Sequence, residues 1–131
     1  MKLRQFLRNT RGAAAIEFAL ALPILASLMI GILQFALVFQ ASGAMRHASG
    51  EGIRYAKVHP GATESEVLAV VRSALGGIDK DNITSLTFVR GTTGEADYGR
   101  VAMSYSLQPL IPFVSLPPIV LNETKFTYLP E

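Results

Sequence analysis

One carboxylate stands where its chemistry is out of place. Glu17 lies at the head of a segment in which no charged residue appears from Phe18 to Met45, and the sequence before it holds Lys2, Arg4, Arg8 and Arg11 but no acid. An ionised side chain at the centre of a bilayer costs about 2.5 to 3.5 kcal/mol, and less near the interface, so a membrane carboxylate usually has an assigned partner. Two roles fit the position. Glu17 either neutralises a specific cation or reaches the nearby interface beside the basic leader.

The remaining chemistry-bearing residues form no catalytic or metal-binding pattern. His47 and His59 are the only histidines, and neither has a second ligand at metal-binding spacing. Asp79-Lys80-Asp81-Asn82 begins somewhat like a calcium loop, but Thr84 stands where glycine is required and no matching glutamate follows; a solvated turn before a strand is expected. Gly91, Gly94 and Gly99 lack the lysine and hydroxyl pair of a phosphate loop and read as a hairpin connection. No nucleophile and base are placed together, so neither an enzyme nor a cofactor or metal is expected.

The element that positions Glu17 is a membrane helix. Residues 18–39 span about 33 Å at roughly 1.5 Å per residue, enough for a hydrocarbon core of roughly 30 Å. The basic leader places the N-terminus in the cytoplasm and residues from about Ala41 onward across the membrane. A secretory signal is the rival reading, with Ala41-Ser42-Gly43 as its exit, but its apolar core is usually about 7 to 15 residues long. The pairs Ala15/Ala19 and Ser27/Gly31 are small residues spaced by four, which permit close helix packing. Pro23 removes a hydrogen bond to the Ala19 carbonyl and is a possible site of kinking, as are the glycines at 43, 50 and 52 further on.

The run Gly12-Ala13-Ala14-Ala15-Ile16-Glu17-Phe18 resembles the processing site of type IV pilins and pseudopilins, in particular the tight-adherence (Tad, Flp-type) branch. Ala19-Leu20-Ala21-Leu22-Pro23-Ile24-Leu25 and Phe35 resemble the anchor of TadE-like proteins. The resemblance covers about residues 8 to 40. It implies that a prepilin peptidase cuts between Gly12 and Ala13, with Glu17 and the aromatic Phe18 setting register in assembly. The new α-amine, with an unperturbed pKa of about 7.7 to 8.0, would then be a cation for Glu17 of the same or a neighbouring subunit. The implied partners are the peptidase, a major Flp pilin, a second pseudopilin, an inner-membrane platform, an assembly ATPase and membrane lipid. The implied role is a minor pilin or pseudopilin that assists, primes or caps a pilus for surface adherence and biofilm formation.

The chain is expected to comprise a leader at residues 1–12, a transmembrane helix at 13–40, a helical stalk at 41–57 and an extracytoplasmic α+β domain at 58–131. In the stalk Ala44, Ala48, Gly52 and Ala56 recur every four residues as a small-residue ridge, opposite a polar face with Arg46, Gly50 and Arg54. His59-Pro60-Gly61 stops the helix. Thr63 and Glu66 form a capping box before Val67, Leu68, Val70, Val71, Ala74 and Leu75, and Gly76-Gly77 closes that second helix. Strands are expected at residues 83–90, 100–107 and 119–129, with Val101, Met103, Tyr105 and Leu107 on one face and residues 91–99 as a loop of variable register. The proline-rich stretch 109–118 is either a subunit contact or a loop folded over the core. The fold class is therefore α+β, a long helix and a short one against about three antiparallel strands, in a pilin-like arrangement.

Composition agrees with a membrane-anchored binding or assembly protein. The full chain has 12 basic and 10 acidic residues; without the leader and its four cations 8 basic residues remain against 10 acidic, so the basicity belongs to the leader. That excludes a basic nucleic-acid surface on the folded part. Cysteine is absent, so stability rests on packing rather than disulfides. Two rivals stand beside the pilin-like reading: a single-span structural or adaptor protein with an envelope-facing binding domain, and a small membrane-anchored enzyme.

Overall fold

The computed structural model describes residues 12–111 and 115–130. Lys2, Arg4, Arg8 and Arg11 of the leader, and Pro112, Phe113 and Val114 of the proline-rich stretch, lie outside the described residues. Helix α1 is Ala13–Val58 and α2 is Glu64–Ala74; a 3-10 turn at Lys80–Asn82 leads into strands β1 (Ile83–Thr93), β2 (Ala96–Leu107) and β3 (Ile119–Tyr128). The chain falls into two compact units, the first ending at Phe35 and the second beginning at Ala36.

In the first unit α1 buries nothing. Ile16, Phe18, Leu20, Leu22, Ile24, Leu25, Leu28, Met29, Ile32, Leu33 and Phe35 are all exposed, Ile24 to 72%. So many large apolar side chains on one helix suit a lipid solvent, not water. The helix is assigned without interruption through Pro23 and through Gly43, Gly50 and Gly52, so neither candidate break is realised.

The second unit is a two-layer α+β body. The strands form an antiparallel meander in the order β1-β2-β3. Ala41, Met45, Ala48, Ile53 and Ala56 of α1 meet Val67 and Val71 of α2, Leu75, Phe88, Val101, Met103, Tyr105 and Leu129 in one core. The expected small-residue ridge is the buried face of the stalk, except that Ala44 is only half-buried and Ala41 and Met45 extend the face instead. At Gly52 a Cβ would collide with Cγ2 of Val71, so glycine here sets how closely α2 can lie on α1. Arg46 on the polar side reaches Glu123 of β3 at 3.6 Å, tying the stalk to the far strand.

The turn after α1 and the cap of α2 follow the sequence closely. Ala62 N donates to the His59 carbonyl at 3.0 Å, closing the Pro60-Gly61 turn. The Thr63 amide and hydroxyl donate to the Glu66 carboxylate at 2.7 and 2.9 Å, and the Glu66 amide donates to Thr63 Oγ1 at 3.3 Å. Asp79 caps the 3-10 turn by accepting from Asp81 N at 3.0 Å. The stretch 91–99 differs from expectation: it is not a loop. Thr93 pairs with Ala96 across a two-residue turn, Gly94-Glu95, in which Gly94 has φ +66°. A positive φ suits the tight hairpin turns that match strand twist, and Thr92 Oγ1 donates to Asp97 Oδ1 across the hairpin at 2.8 Å.

The two glycine environments predict opposite signs for the same substitution. Gly52→Ala should destabilise the chain by about 1 to 3 kcal/mol through overpacking. Gly43→Ala, with open space around its Cβ, should stabilise it by about 0.5 to 1 kcal/mol through helix propensity. Denaturant titration of the full chain in micelles distinguishes them.

The hydrogen bonds from Thr63, the backbone one foremost, hold the Glu66 carboxyl below its ordinary value. A depressed carboxyl adds stability above its unfolded pKa and loses it as pH falls through the lower folded value. The stability difference between the native chain and Glu66→Gln should therefore shrink as pH is lowered below about 4.3.

Candidate functional site

Gly12 forms the turn that opens α1, and its carbonyl accepts from Ile16 N at 3.1 Å as the first bond of the helix. Ala13 is the first helical residue. The Gly12–Ala13 bond therefore lies at the boundary between leader and helix, and a cut there would leave an amine at the positive end of the helix dipole. Glu17 follows Ala13 by four residues, one turn along the same face. Its carboxylate is thus within a turn of the Ala13 nitrogen and available to either the chain's own amine or a neighbour's. Glu17 and Phe18 are exposed, and no side chain pairs with Glu17 among the described residues.

Ala15, Ala19, Ser27 and Gly31 fall on one i, i+4 row with Pro23 at its middle, a ridge that winds around the helix. Ser27 Oγ donates to the Pro23 carbonyl at 2.8 Å, so the hydroxyl is turned onto its own backbone. Gly31 has open space where a Cβ would stand. The ridge is accordingly small and offers no unsatisfied hydroxyl donor to a hydrocarbon surrounding. The structure brings Gly12, Ala13, Ala15, Glu17, Phe18 and Ala19 together in the first turns of one helix and leaves Ser27 and Gly31 further along it.

Two features of the second unit escaped sequence reading. Gln40 Nε2 donates to the Gly77 carbonyl at 2.6 Å, fixing the turn after α2 to the first residue beyond Phe39. No local pattern in the sequence announces a contact across 37 positions. On the sheet face away from the helices, Tyr98 and Phe126 lie 5.2 Å apart and Phe126 and Tyr128 5.3 Å apart, with the Tyr98 ring lying where a Gly91 side chain would be. Alternation in β2 and β3 carried that signal at the even positions, while the expectation followed only the odd, inward ones. Among the described residues no three of His, Asp and Glu come together in a metal-binding group.

No curated protein and no solved structure matches the chain. A family model described as TadE-like protein matches residues 12–54, which begins at Gly12, runs through Glu17 and the apolar half of α1, and ends within the stalk. Over the stretch that carries the candidate site, the chain is similar to TadE-like proteins.

Proposed function

We propose that the chain is a minor pilin or pseudopilin of a tight-adherence, Flp-type pilus, cut between Gly12 and Ala13 by a prepilin peptidase. The observation that carries this reading is the coincidence of the TadE-like match with a glycine, glutamate and aromatic at the head of an exposed apolar helix. The leader holds the N-terminus in the cytoplasm while α1 anchors the chain in the inner membrane and presents the α+β unit outside. This pool of subunits then primes, caps or enters the pilus, alongside a major pilin and a second pseudopilin, on a platform driven by an assembly ATPase.

The mechanism is assembly rather than catalysis. Removing the leader discards four cations and creates one, the Ala13 amine, at the end of the helix that must pack among others. Glu17 supplies the matching anion. When the amine of one subunit meets Glu17 of the next, two charges leave the apolar bundle together and the axial register is set by where they meet. Phe18 and the small ridge of Ala15, Ala19, Ser27 and Gly31 shape the surface on which neighbouring helices approach.

Leaving one buried charge without its partner costs about 3 to 5 kcal/mol. Glu17→Ala should therefore insert at the native level but lose incorporation or pilus-priming activity by on the order of a hundredfold or more. Membrane fractionation together with surface pilus counts measures both quantities. Native pilus numbers in the Glu17→Ala strain would remove the pilin-like role and leave a membrane-anchored adaptor.

A further inference from the structure

Strand register orders the face of the sheet turned away from the helices. Val101, Met103 and Tyr105 of β2 are buried in the core, so Tyr98, Arg100 and Ala102 stand on the other face. Across the strands Gly91, Tyr98 and Tyr128 form one row, Val89, Arg100 and Phe126 the next, and Thr87, Ala102 and Thr124 a third. The first two rows gather three aromatic rings around one guanidinium. The third adds two hydroxyls.

Gly91 shapes that surface. A Cβ there would stand 2.5 to 2.7 Å from the phenol oxygen and two ring carbons of Tyr98, so the ring lies across β1 in the space the glycine leaves. Phe126 flanks it on the β3 side at 5.2 Å with the ring planes 34° apart, and Tyr128 stands edge-on to Phe126 at 5.3 Å. Phe126 and Tyr128 are 48% and 58% exposed. Together the three rings offer on the order of 300 Å² to a ligand, well short of the roughly 800 Å² that each partner contributes to a stable protein interface.

Charge narrows the ligand further. Asp97 and Glu123, the acids of the three strands, lie at inward positions and are engaged by Thr92 and Arg46. Arg100 is exposed, forms no ion pair among the described residues, and is the one charge in the three outward rows. A single-stranded nucleic acid needs cations that track its phosphates, which one guanidinium does not supply. A uronic-acid ring matches what is present: an apolar C–H face for the aromatic rings, hydroxyls for Thr87 and Thr124, and one carboxylate for a charge-assisted pair with Arg100.

We propose that Tyr98, Phe126 and Tyr128, with Arg100, form a binding platform for an acidic polysaccharide, whose sugar ring stacks on Tyr98 and Phe126 while its carboxylate meets the guanidinium. All four residues belong to the second unit, so the platform depends neither on cleavage at Gly12 nor on a pilus.

The test is a nuclear magnetic resonance titration of the full chain in micelles with hexagalacturonate, and with neutral maltohexaose beside it. Hexagalacturonate should shift the ring resonances of Tyr98 and Phe126 and bind more tightly than maltohexaose. Phe126→Ala, and Gly91→Ala through displacement of the Tyr98 ring, should each weaken binding by about tenfold. Arg100→Gln should remove the preference for the acidic sugar; as an exposed substitution it also keeps the test open where an aromatic variant does not fold. No shift with hexagalacturonate overturns the platform, and so does binding retained by both Gly91→Ala and Phe126→Ala. Equal binding of the two sugars by the native chain overturns the role of Arg100 and with it the acidic ligand. Ring shifts that follow protein concentration alone assign the patch to a second copy of the chain and overturn the proposal.

Discussion

One helix is built of two halves that suit different solvents. The 46 residues of α1 are assigned as a single helix, yet their first half exposes large apolar side chains on every side, while Ala41, Met45, Ala48, Ile53 and Ala56 are buried under a helix and a sheet. A hydrocarbon surrounding tolerates the first half because backbone groups are satisfied within the helix and, between Ala13 and Met45, only Glu17 carries charge. Water tolerates the second half because its small residues are covered closely. The change from large to small side chains near Gln40 divides the exposed apolar half from the buried half.

That constraint explains why the folded unit is built as it is. With only about 90 residues after the apolar run, a small domain has little core of its own, and the second half of α1 supplies one wall of it. Small residues let α2 and the sheet approach; Gly52 permits the closest contact, and Arg46 to Glu123 and Gln40 to Gly77 fix the stalk along its length.

What could be read from the sequence was whatever depends on neighbours a few positions away. The apolar run, the Thr63 and Glu66 capping box, the stop at His59-Pro60-Gly61 and the inward alternation of β2 are all local patterns, and they recur in the structure. The hairpin is not evident in the sequence because Gly91, Thr92 and Thr93 before Gly94, and Gly99 after it, look like loop composition, although β1 and β2 pair through Thr93 and Ala96 and are held by Thr92 and Asp97. Gln40 lies beyond local reading, since it takes its meaning from Gly77 far along the chain, whereas Gly52 is legible as part of the small-residue ridge but its partner Val71 is not. Glu17 was conspicuous because a carboxylate is out of keeping with the apolar run that follows it.

The central claim is that the Gly12–Ala13 bond is a processing site, and intact mass with N-terminal sequencing of the protein from its native membranes tests it most directly. With the prepilin peptidase present the mature chain should begin at Ala13, and in its absence at Met1. A chain that begins at Met1 under both conditions would contradict the account and leave an uncut anchor, and one that begins near Ala44 would make it a secreted protein.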